Sequence, residues 1–388
     1  MKITEFCTKC GNQLADHADF CHKCGSKIVM VKGVPTAVSI ETKTPSHTVE
    51  EHDSMKYAKR RNVVIGLSVG LIAIIIVPII IWGVFGFINY THIGSYTYDE
   101  TSMEYTNLNL VIDNNVGSID VYYEDSLTKP FEAIVELYGR KGASLLDAVN
   151  FTTTYLTNDT MEINFNSGDF DFFFWDKKVF TYDMSIYINP LVTADVFIDA
   201  DTGSVSFSTE GLDSIIIENL DISSNTGSID LDLINSVNTT FNGLNLKGNT
   251  GRISVDLGSR TTINDSYVLI DTDTGSIDFE FVDLIAYDDQ TWEITTDTGS
   301  IDVSITQNIV LPFTFMSHFD IDTDTGSISV DFLFNDTIGY SFYGTTSTGS
   351  VDILGSEDEY ISPNYGIATN LYVFELSTST GSVTVTEK

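Results

Sequence analysis

Apolar and polar residues alternate along much of the second half of the chain, the pattern of strands that bury one face. The alternation is arranged around a recurring Thr-Gly-Ser segment. In the repeat centred on Gly227, the apolar residues Leu220 and Ile222 precede the glycine, and Ile229 and Leu231 follow it. Each repeat is therefore predicted to be a strand, a turn and a second strand.

The repeats are closely and regularly spaced. Their central glycines are Gly117, Gly203, Gly227, Gly251, Gly275, Gly299, Gly326, Gly349 and Gly381. From Gly203 to Gly299 every interval is 24 residues, and the later intervals are 27, 23 and 32. A unit this short cannot bury its apolar face alone, so neighbouring units must stack.

Stacking predicts an all-β domain, a repetitive β-solenoid or β-helix-like structure with equivalent strands about 4.8 Å apart. Strands before and after each turn would form two facing sheets, with Trp292, Phe279, Phe281 and Phe319 between them. A twisted sandwich of antiparallel hairpins is the alternative. Residues 124–195 break the period but remain rich in strand-forming residues, and are expected to form a wider first section or cap.

The segment "DTGS" also occurs at the active site of pepsin-like aspartic proteases. Here the residue two positions before the glycine is Asn115, Asp201, Asn225, Asn249, Asp273, Asp297, Asp324, Ser347 or Ser379. A protease needs two carboxylates that share a proton, so exchange for Asn or Ser argues against catalysis. Asn, Asp and Ser favour turns because their side chains accept a backbone hydrogen bond, and the glycine would supply the positive φ of a type II turn.

An uncharged segment, "VVIGLSVGLIAIIIVPIIIWGVFGFI", runs from residue 63 to residue 88. About twenty apolar residues span a bilayer, so residues 62–90 are predicted to be a transmembrane helix. Lys56, Lys59, Arg60 and Arg61 crowd its N-terminal side. The positive-inside rule then places residues 1–61 in the cytoplasm and residues 91–388 outside the cell membrane.

Charge and cysteine content differ between the two sides of this segment. The formal net charge is −36, and residues 91–388 contain nine Lys or Arg against 48 Asp or Glu. No nucleic-acid partner is expected for this part, because phosphate binding needs the opposite sign. All four cysteines lie in the first 24 residues, so the acidic part must be stable without disulfides.

The four cysteines form two Cys-x-x-Cys pairs, Cys7 with Cys10 and Cys21 with Cys24. Two such knuckles can complete a tetrahedral zinc site, and a site closed by four thiolates is structural. Residues 1–28 resemble the short zinc-ribbon family found at the N-termini of prokaryotic membrane proteins. Residues 29–61 are polar without an apolar period, and are interpreted as a flexible cytoplasmic linker.

Residues 91–388 form the acidic repeat domain in this interpretation. Within it, "LVIDNNVGSIDVYY", "YDMSIYINPLVTADVFIDADTGSVSF" and the tandem "TGSID" units resemble the putative-adhesin family over roughly residues 100–388. The resemblance implies a repetitive β-fold and a surface location, with no established catalytic residues. The aromatic segment "FDFFFWDKK" at 170–178 is expected either in the core of the cap or as an exposed ligand platform.

In-register stacking would align Asp230, Asp278, Asp302 and Asp352 on one outer face, interrupted by Ser206, Ser254 and Ser329. Solvated turn acids explain this column, and calcium bound by acidic turns such as Asp320, Asp322 and Asp324 is the alternative. Six Asn-x-Ser/Thr sequons, at Asn89, Asn150, Asn158, Asn238, Asn264 and Asn335, lie on the predicted outer side or at its membrane edge.

These features together predict a non-enzymatic, single-pass protein of the lipid bilayer. Its acidic β-domain would bind envelope polymer or another surface protein outside the cell, in adhesion or envelope binding. The zinc ribbon could bind a cytoplasmic protein. The alternative is a transmembrane sensor of envelope stress, in which the ribbon recruits a cytoplasmic partner.

Overall fold

The computed structural model describes residues 90–100, 105–140, 151–157, 159–167, 179–209, 212, 214–233 and 238–388. All of them lie within one compact unit, Ile79–Lys388. The zinc ribbon, the linker and the 170–178 segment lie outside the described residues. So does the predicted membrane helix, except that Tyr90 begins a strand. Within the described ranges, the structure contains no helix that is long and apolar enough to cross a membrane.

The described residues form strands, as alternation predicts. In the first part of the chain these are β1 (Tyr90–Glu100), β2 (Asn107–Asn114), β3 (Ile119–Tyr123), β4 (Phe131–Arg140), β5 (Phe151–Tyr155), β6 (Thr160–Asn166), β7 (Val179–Ile188), β8 (Thr193–Thr202) and β9 (Val205–Ser208). Next come β10 (Ile216–Thr226), β11 (Ile229–Asp232), β12 (Thr240–Thr250), β13 (Ile253–Leu257), β14 (Thr262–Ile263), β15 (Tyr267–Thr274) and β16 (Ile277–Val282). The last are β17 (Gln290–Thr298), β18 (Ile301–Gln307), β19 (Phe315–Thr325), β20 (Ile328–Phe334), β21 (Gly339–Ile353), β22 (Glu359–Ile361) and β23 (Asn370–Glu387). The all-β prediction is confirmed for these ranges.

Strands of successive repeats pair side by side in two columns. The pre-turn column, built from strands before each glycine, runs β5, β6, β2, β8, β10, β12, β15, β17, β19, β23 and β21. The post-turn column runs β1, β4, β7, β3, β9, β11, β13, β16, β18, β20, β23 and β21. The long strands β21 and β23 pass through the corner and belong to both columns.

Pairing is parallel and in register throughout the tandem repeats. Leu220 pairs with Leu244, and Ile229 with Ile253, each 24 residues further along the chain. The strands on either side of a Thr-Gly-Ser segment pair with neighbouring repeats rather than with each other, so the antiparallel-hairpin alternative is wrong. Antiparallel pairs occur at the ends of the columns, where β1, β4 and β7 form the first section together with β5 and β6.

The core lies between the two columns and contains the predicted aromatic residues. Trp292, Phe279, Phe281 and Phe319 are each no more than 1% exposed. Trp292 and Phe319 stack with ring centroids 5.4 Å apart, and Phe319 stacks on Phe374 at 4.8 Å. Phe374 stacks in turn on Phe342 at 4.6 Å. In-register pairing places these four rings at the same point of successive repeats, so one aromatic stack runs through the C-terminal half of the core.

The last two repeats are stacked in the reverse of their order in the chain. Strand β23, which carries Gly381, pairs with β19 and β20 on one side and with β21 on the other. The Gly349 repeat therefore lies outermost, although it precedes the Gly381 repeat in sequence. The constant spacing of the earlier repeats gives no hint of this exchange.

Gly344 distinguishes β21 from the strands of the other repeats. Other repeats have an apolar side chain here, such as Leu376, whereas a Cβ on Gly344 would lie 2.9 Å from both Ile353 Cδ1 and Val351 Cγ1. The missing side chain lets the pre-turn and post-turn halves of β21 approach each other. The core therefore narrows at its last repeat.

The corner at each Thr-Gly-Ser segment differs from the predicted turn. Gly227 has φ +151°, well away from the roughly +80° that a type II turn requires. Its amide donates to the carbonyl of Thr250 in the next repeat at 2.9 Å. Asn225 Nδ2 likewise donates to Asp201 Oδ1 of the previous repeat at 2.7 Å. The type II turn prediction is wrong, because these corner residues hydrogen-bond between repeats.

Candidate functional site

The post-turn column presents the predicted row of acids on its outer face. Reading across the stack, the row is Asp120, Ser206, Asp230, Ser254, Asp278, Asp302, Ser329, Thr384 and Asp352. The predicted order of acids and serines is confirmed. Asp120 at the first repeat and Thr384 in the exchanged strand complete the row.

A second acidic row runs beside the first, two residues further along each strand. Asp232, Asp256 and Glu280 are adjacent members of it. Partial burial raises the pKa of Asp256 to about 6, and repulsion from Glu280, Asp232 and Asp230 adds to the increase. Burial also raises the pKa of Asp302, with further increases from Asp278 and Asp331. Ionising both rows together is therefore unfavourable.

Arg252 interrupts this acidic face. It occupies the position at which the other tandem corners have serine, and its Nε lies 2.5 Å from Asp278 Oδ2. Both residues line an open groove of about 460 Å³, together with Asp256, Glu280 and Asp302. The groove is polar and strongly acidic, with one cation at its edge.

The outer face of the pre-turn column contains a groove of different chemistry, the Gly243 groove, of about 470 Å³. Its lining residues are Phe197, Asn219, Leu220, Asp221, Gly243, Leu244, Asn245, Lys247, Asp265, Tyr267 and Leu269. In-register pairing places Phe197, Asp221, Asn245 and Leu269 in one row across four repeats. Asn219 and Gly243 are neighbours in the next row.

Hydrogen bonds between repeats orient the polar groups of the Gly243 groove. Asn245 Nδ2 donates to Asp221 Oδ1 at 3.0 Å, and Asn219 Nδ2 donates to Asp195 Oδ1 at 3.2 Å. Tyr267 Oη donates to Glu293, and this hydrogen bond is the main reason why the pKa of Tyr267 is raised to about 12. The carboxamide oxygen of Asn245 is buried without a hydrogen-bond partner.

Cations are concentrated in a single repeat. Between residues 179 and 388 the only Lys and Arg residues of the sequence are Lys247, Arg252, Arg260 and Lys388. Three of these belong to the Gly251 repeat, where Lys247 lines the Gly243 groove and Arg252 lines the acidic groove. The clustering of cations is visible in the sequence, since "TGR" replaces "TGS" only in this repeat. The repeat pattern alone did not indicate that these cations would line two grooves.

The structure brings no metal cluster together from the acidic turns. Within the described part of the chain, no group of three or more His, Cys, Asp or Glu side chains is arranged to hold a metal ion. The calcium hypothesis therefore gains no support from Asp320, Asp322 and Asp324. The two histidines of the acidic domain lie in separate strands, His92 against Glu136 and His318 at 3.9 Å from Glu375.

The three described sequons all precede a pre-turn strand or follow a post-turn strand, away from the Thr-Gly-Ser corners. Asn238 is exposed, with φ +58°. Asn264 Nδ2 donates to Asn242 Oδ1 at 2.8 Å, and Asn335 Nδ2 donates to the Asn308 carbonyl at 3.1 Å. The other three sequons, at Asn89, Asn150 and Asn158, lie outside the described residues.

The zinc ligands Cys7, Cys10, Cys21 and Cys24 also lie outside the described residues. The family model of the zinc-ribbon domain matches residues 6–28, which include all four cysteines. The resemblance of the N-terminus to the zinc-ribbon family is thereby confirmed. A comparison with curated proteins gives no significant match.

Several solved structures are similar to the chain at low sequence identity. A putative cell adhesion protein from Clostridium sporogenes is 11% identical with a TM-score of 0.28, and the match covers 77% of this chain and all of that one. A putative adhesin from Parabacteroides distasonis is 11% identical with a TM-score of 0.35, covering 75% and 97%. A putative lipid binding protein from the same species is 12% identical with a TM-score of 0.34, covering 75% and 96%.

Proposed function

We propose that this protein displays residues 91–388 outside the cell as a rigid β-solenoid that binds envelope polymer or a surface protein. A single transmembrane helix at residues 62–90 would anchor the domain in the lipid bilayer. Cys7, Cys10, Cys21 and Cys24 would hold one structural zinc ion on the cytoplasmic side, where the ribbon could contact another protein. The role is one of adhesion or envelope binding, without catalysis.

The observation that carries this proposal is the regular outer surface of the two columns. Equivalent side chains recur at every repeat, so that one surface position becomes a row of similar groups about 4.8 Å apart. The threonines before the glycines form one such row. Thr226 pairs with Thr250, Thr250 pairs with Thr274, and all three are exposed. A repeating surface of this kind is suited to a repeating partner, which can make the same contact many times.

The grooves also favour binding over turnover. Both grooves are open, and their acids are spread across several repeats rather than paired around one reacting centre. A general acid and base need to converge on a single substrate atom within hydrogen-bond reach. The described acids instead form extended rows, which suits contact with an extended partner.

The test is retention of envelope fragments from the producing organism by the full-length protein immobilised in detergent. We expect retention to exceed that of an unrelated acidic protein of matched net charge. Heat-denatured full-length protein provides the second control, because it keeps the net charge of the chain but loses the ordered surface of the folded repeats. Equal retention by all three samples would overturn the proposed function.

A further inference from the structure

The Gly243 groove combines the groups by which proteins commonly bind sugars. Phe197 and Tyr267 are 37% and 44% exposed, and they stand on the outer faces of β8 and β15, at opposite sides of the groove. Large exposed aromatic rings on a rigid sheet give contact area at little conformational cost. The apolar faces of sugar rings can pack against such side chains, while their hydroxyl groups remain free to bond polar neighbours.

Polar groups lie between these two rings. Asp221 offers a carboxylate and Lys247 an ammonium group, Asp265 offers a second carboxylate beside Tyr267, and Asn219 and Asn245 stand in adjacent rows. Hydroxyl groups can donate to carboxylates and accept from an ammonium, so this mixture can satisfy both functions of a sugar hydroxyl. The amides are already oriented, since Asn245 donates to Asp221 and Asn219 donates to Asp195.

Two amides and a glycine line the groove between the rings. The carboxamide oxygen of Asn245 is buried and has no hydrogen-bond partner within the chain. A buried acceptor left unbonded costs about 1–3 kcal/mol, and because this oxygen is not accessible it is a local cost of the stacked amides rather than a contact for a ligand. Gly243 has no side chain, and the carboxamide oxygen of Asn219 occupies the space above it, 2.4 Å from where a Cβ atom would lie.

The charges in and around the groove favour a neutral ligand. Lys247 is the only cation lining the groove, against the two carboxylates of Asp221 and Asp265. An acidic polymer would also be repelled by the strongly negative domain around it. A neutral ligand avoids this repulsion. The groove extends over four repeats, about 14 Å at the usual strand spacing, which accommodates more than one sugar ring.

We propose that the Gly243 groove is a binding site for a neutral polysaccharide, whose rings pack on Phe197 and Tyr267. This inference rests on the proposed envelope binding and specifies the chemical class of the polymer. Asp221 and Lys247 would bond its hydroxyl groups. The acidic groove of the post-turn column plays no part in this site.

The test is calorimetric titration of the full-length protein in detergent with two neutral probes, cellohexaose and chitohexaose, and with polygalacturonate fragments as the acidic comparison. We expect at least one neutral hexamer to bind. Tyr267→Ala should weaken that binding about tenfold, whereas Tyr267→Phe, which keeps the ring, should bind nearly as well as the original protein. Lys247→Ala should weaken binding severalfold.

Matched controls separate the groove from the rest of the surface. Tyr343 is 52% exposed on the same column, and Arg260 is an exposed cation of the same repeat as Lys247. Tyr343→Ala and Arg260→Ala should leave binding unchanged. Binding of neither neutral hexamer, preference for polygalacturonate, or equal losses in the Tyr267→Ala and Tyr343→Ala proteins would each overturn the inference.

The two proposals fail in different ways. If envelope fragments are retained but neutral hexamers do not bind, the groove inference is wrong and the proposed function stands. If neutral hexamers bind at the groove while envelope fragments are not retained, the site is real and the proposed envelope binding is wrong. Measuring both with the same protein preparation therefore identifies which one has failed.

Discussion

A Cβ atom on Gly251 would lie 1.9 Å from the carbonyl oxygen of Gly227 in the preceding repeat. Equivalent clashes, at 1.5 to 2.2 Å, occur at Gly117, Gly203, Gly227, Gly275, Gly299, Gly326, Gly349 and Gly381. Backbone atoms cannot move aside as a flexible side chain can. Glycine is therefore required at each corner by the close stacking of repeats, in addition to the positive φ that most of them adopt.

Gly251→Ala should strongly destabilise the domain, by about 3 kcal/mol or more, since a methyl group would force two repeats apart. The measurement is urea denaturation followed by circular dichroism. Gly366→Ala is the matched control, because no atom lies within 4 Å of a Cβ placed there. Similar midpoints for the two variants would show that the corner tolerates a side chain.

Phe319→Ala should destabilise the domain by about 3–5 kcal/mol, the usual loss for a fully buried phenylalanine. Phe319 is 0% exposed and stacks between Trp292 and Phe374, so its removal breaks the aromatic stack and leaves a cavity. The measurement is thermal unfolding followed by circular dichroism. Tyr287→Ala, at a ring that is 54% exposed, should change the transition by far less; a comparable change would contradict the role of the stack.

Asp256→Asn should stabilise the protein at pH 7. The folded-state pKa of Asp256, about 6, lies above the ordinary value of 3.8, so the fold disfavours the ionised form. The original protein should lose stability as pH rises from about 4 to about 6 and remain less stable above that. With allowance for solvent screening, the loss is about 1 kcal/mol.

The measurement for Asp256 is the difference in unfolding free energy between the original protein and the Asn variant at pH 4, 5, 6 and 7. This difference should grow through that range and then level off. Asp336→Asn, at an exposed loop residue, controls for the general effect of removing one negative charge. An Asp256→Asn protein that is no more stable than the Asp336→Asn protein at pH 7 would refute the prediction.

Cysteine cross-linking can test the reversed order of the last two repeats. Ser377 pairs with Asp322 on one side and with Thr345 on the other. With the four native cysteines replaced by serine, Asp322→Cys/Ser377→Cys should cross-link readily with a short bifunctional thiol reagent. Asp322→Cys/Thr345→Cys should not, because one strand separates the two residues and places them about 10 Å apart. Readier cross-linking of the Asp322→Cys/Thr345→Cys protein would show that the last two repeats stack in the order of the sequence.

The zinc ribbon makes a separate prediction about metal content. The full-length protein should contain one zinc ion by elemental analysis, and Cys21→Ser should lose it, because the site needs four thiolates. His22→Ala should keep its zinc, since the neighbouring histidine is not expected to be a ligand. Retention of full zinc by the Cys21→Ser protein would contradict the four-cysteine site.

Much of the repeat register was predictable because spacing and alternation act locally and identically in every unit. Aligning the glycines of the tandem repeats correctly placed Asp230, Asp278, Asp302 and Asp352 on one face. It also correctly placed Trp292 and Phe319 in the core. Periodic sequence determines which residues can be neighbours once the units stack.

Other features depend on contacts that no single repeat encodes. The hydrogen bond from Asn225 to Asp201 joins neighbouring repeats, so the local preference of Asn for turns suggested the wrong partner. The exchange of the Gly349 and Gly381 repeats depends on the pairing of β23 with β19 and β20, which lie well before it in the sequence. The Gly243 groove depends on residues from four repeats, and only the unusual clustering of Lys247 and Arg252 could have drawn attention to its surroundings.

The inserted position of β23 has a consequence for the order in which the C-terminal end can assemble. Residues 339–353 emerge before residues 370–387, yet their final neighbour is the later segment. The flank of β19 and β20 pairs with β23, so β21 reaches its final neighbour only after residues 370–387 are present. The final assembly of this end therefore runs against chain order, and its outermost strand is held in place by the C-terminal segment.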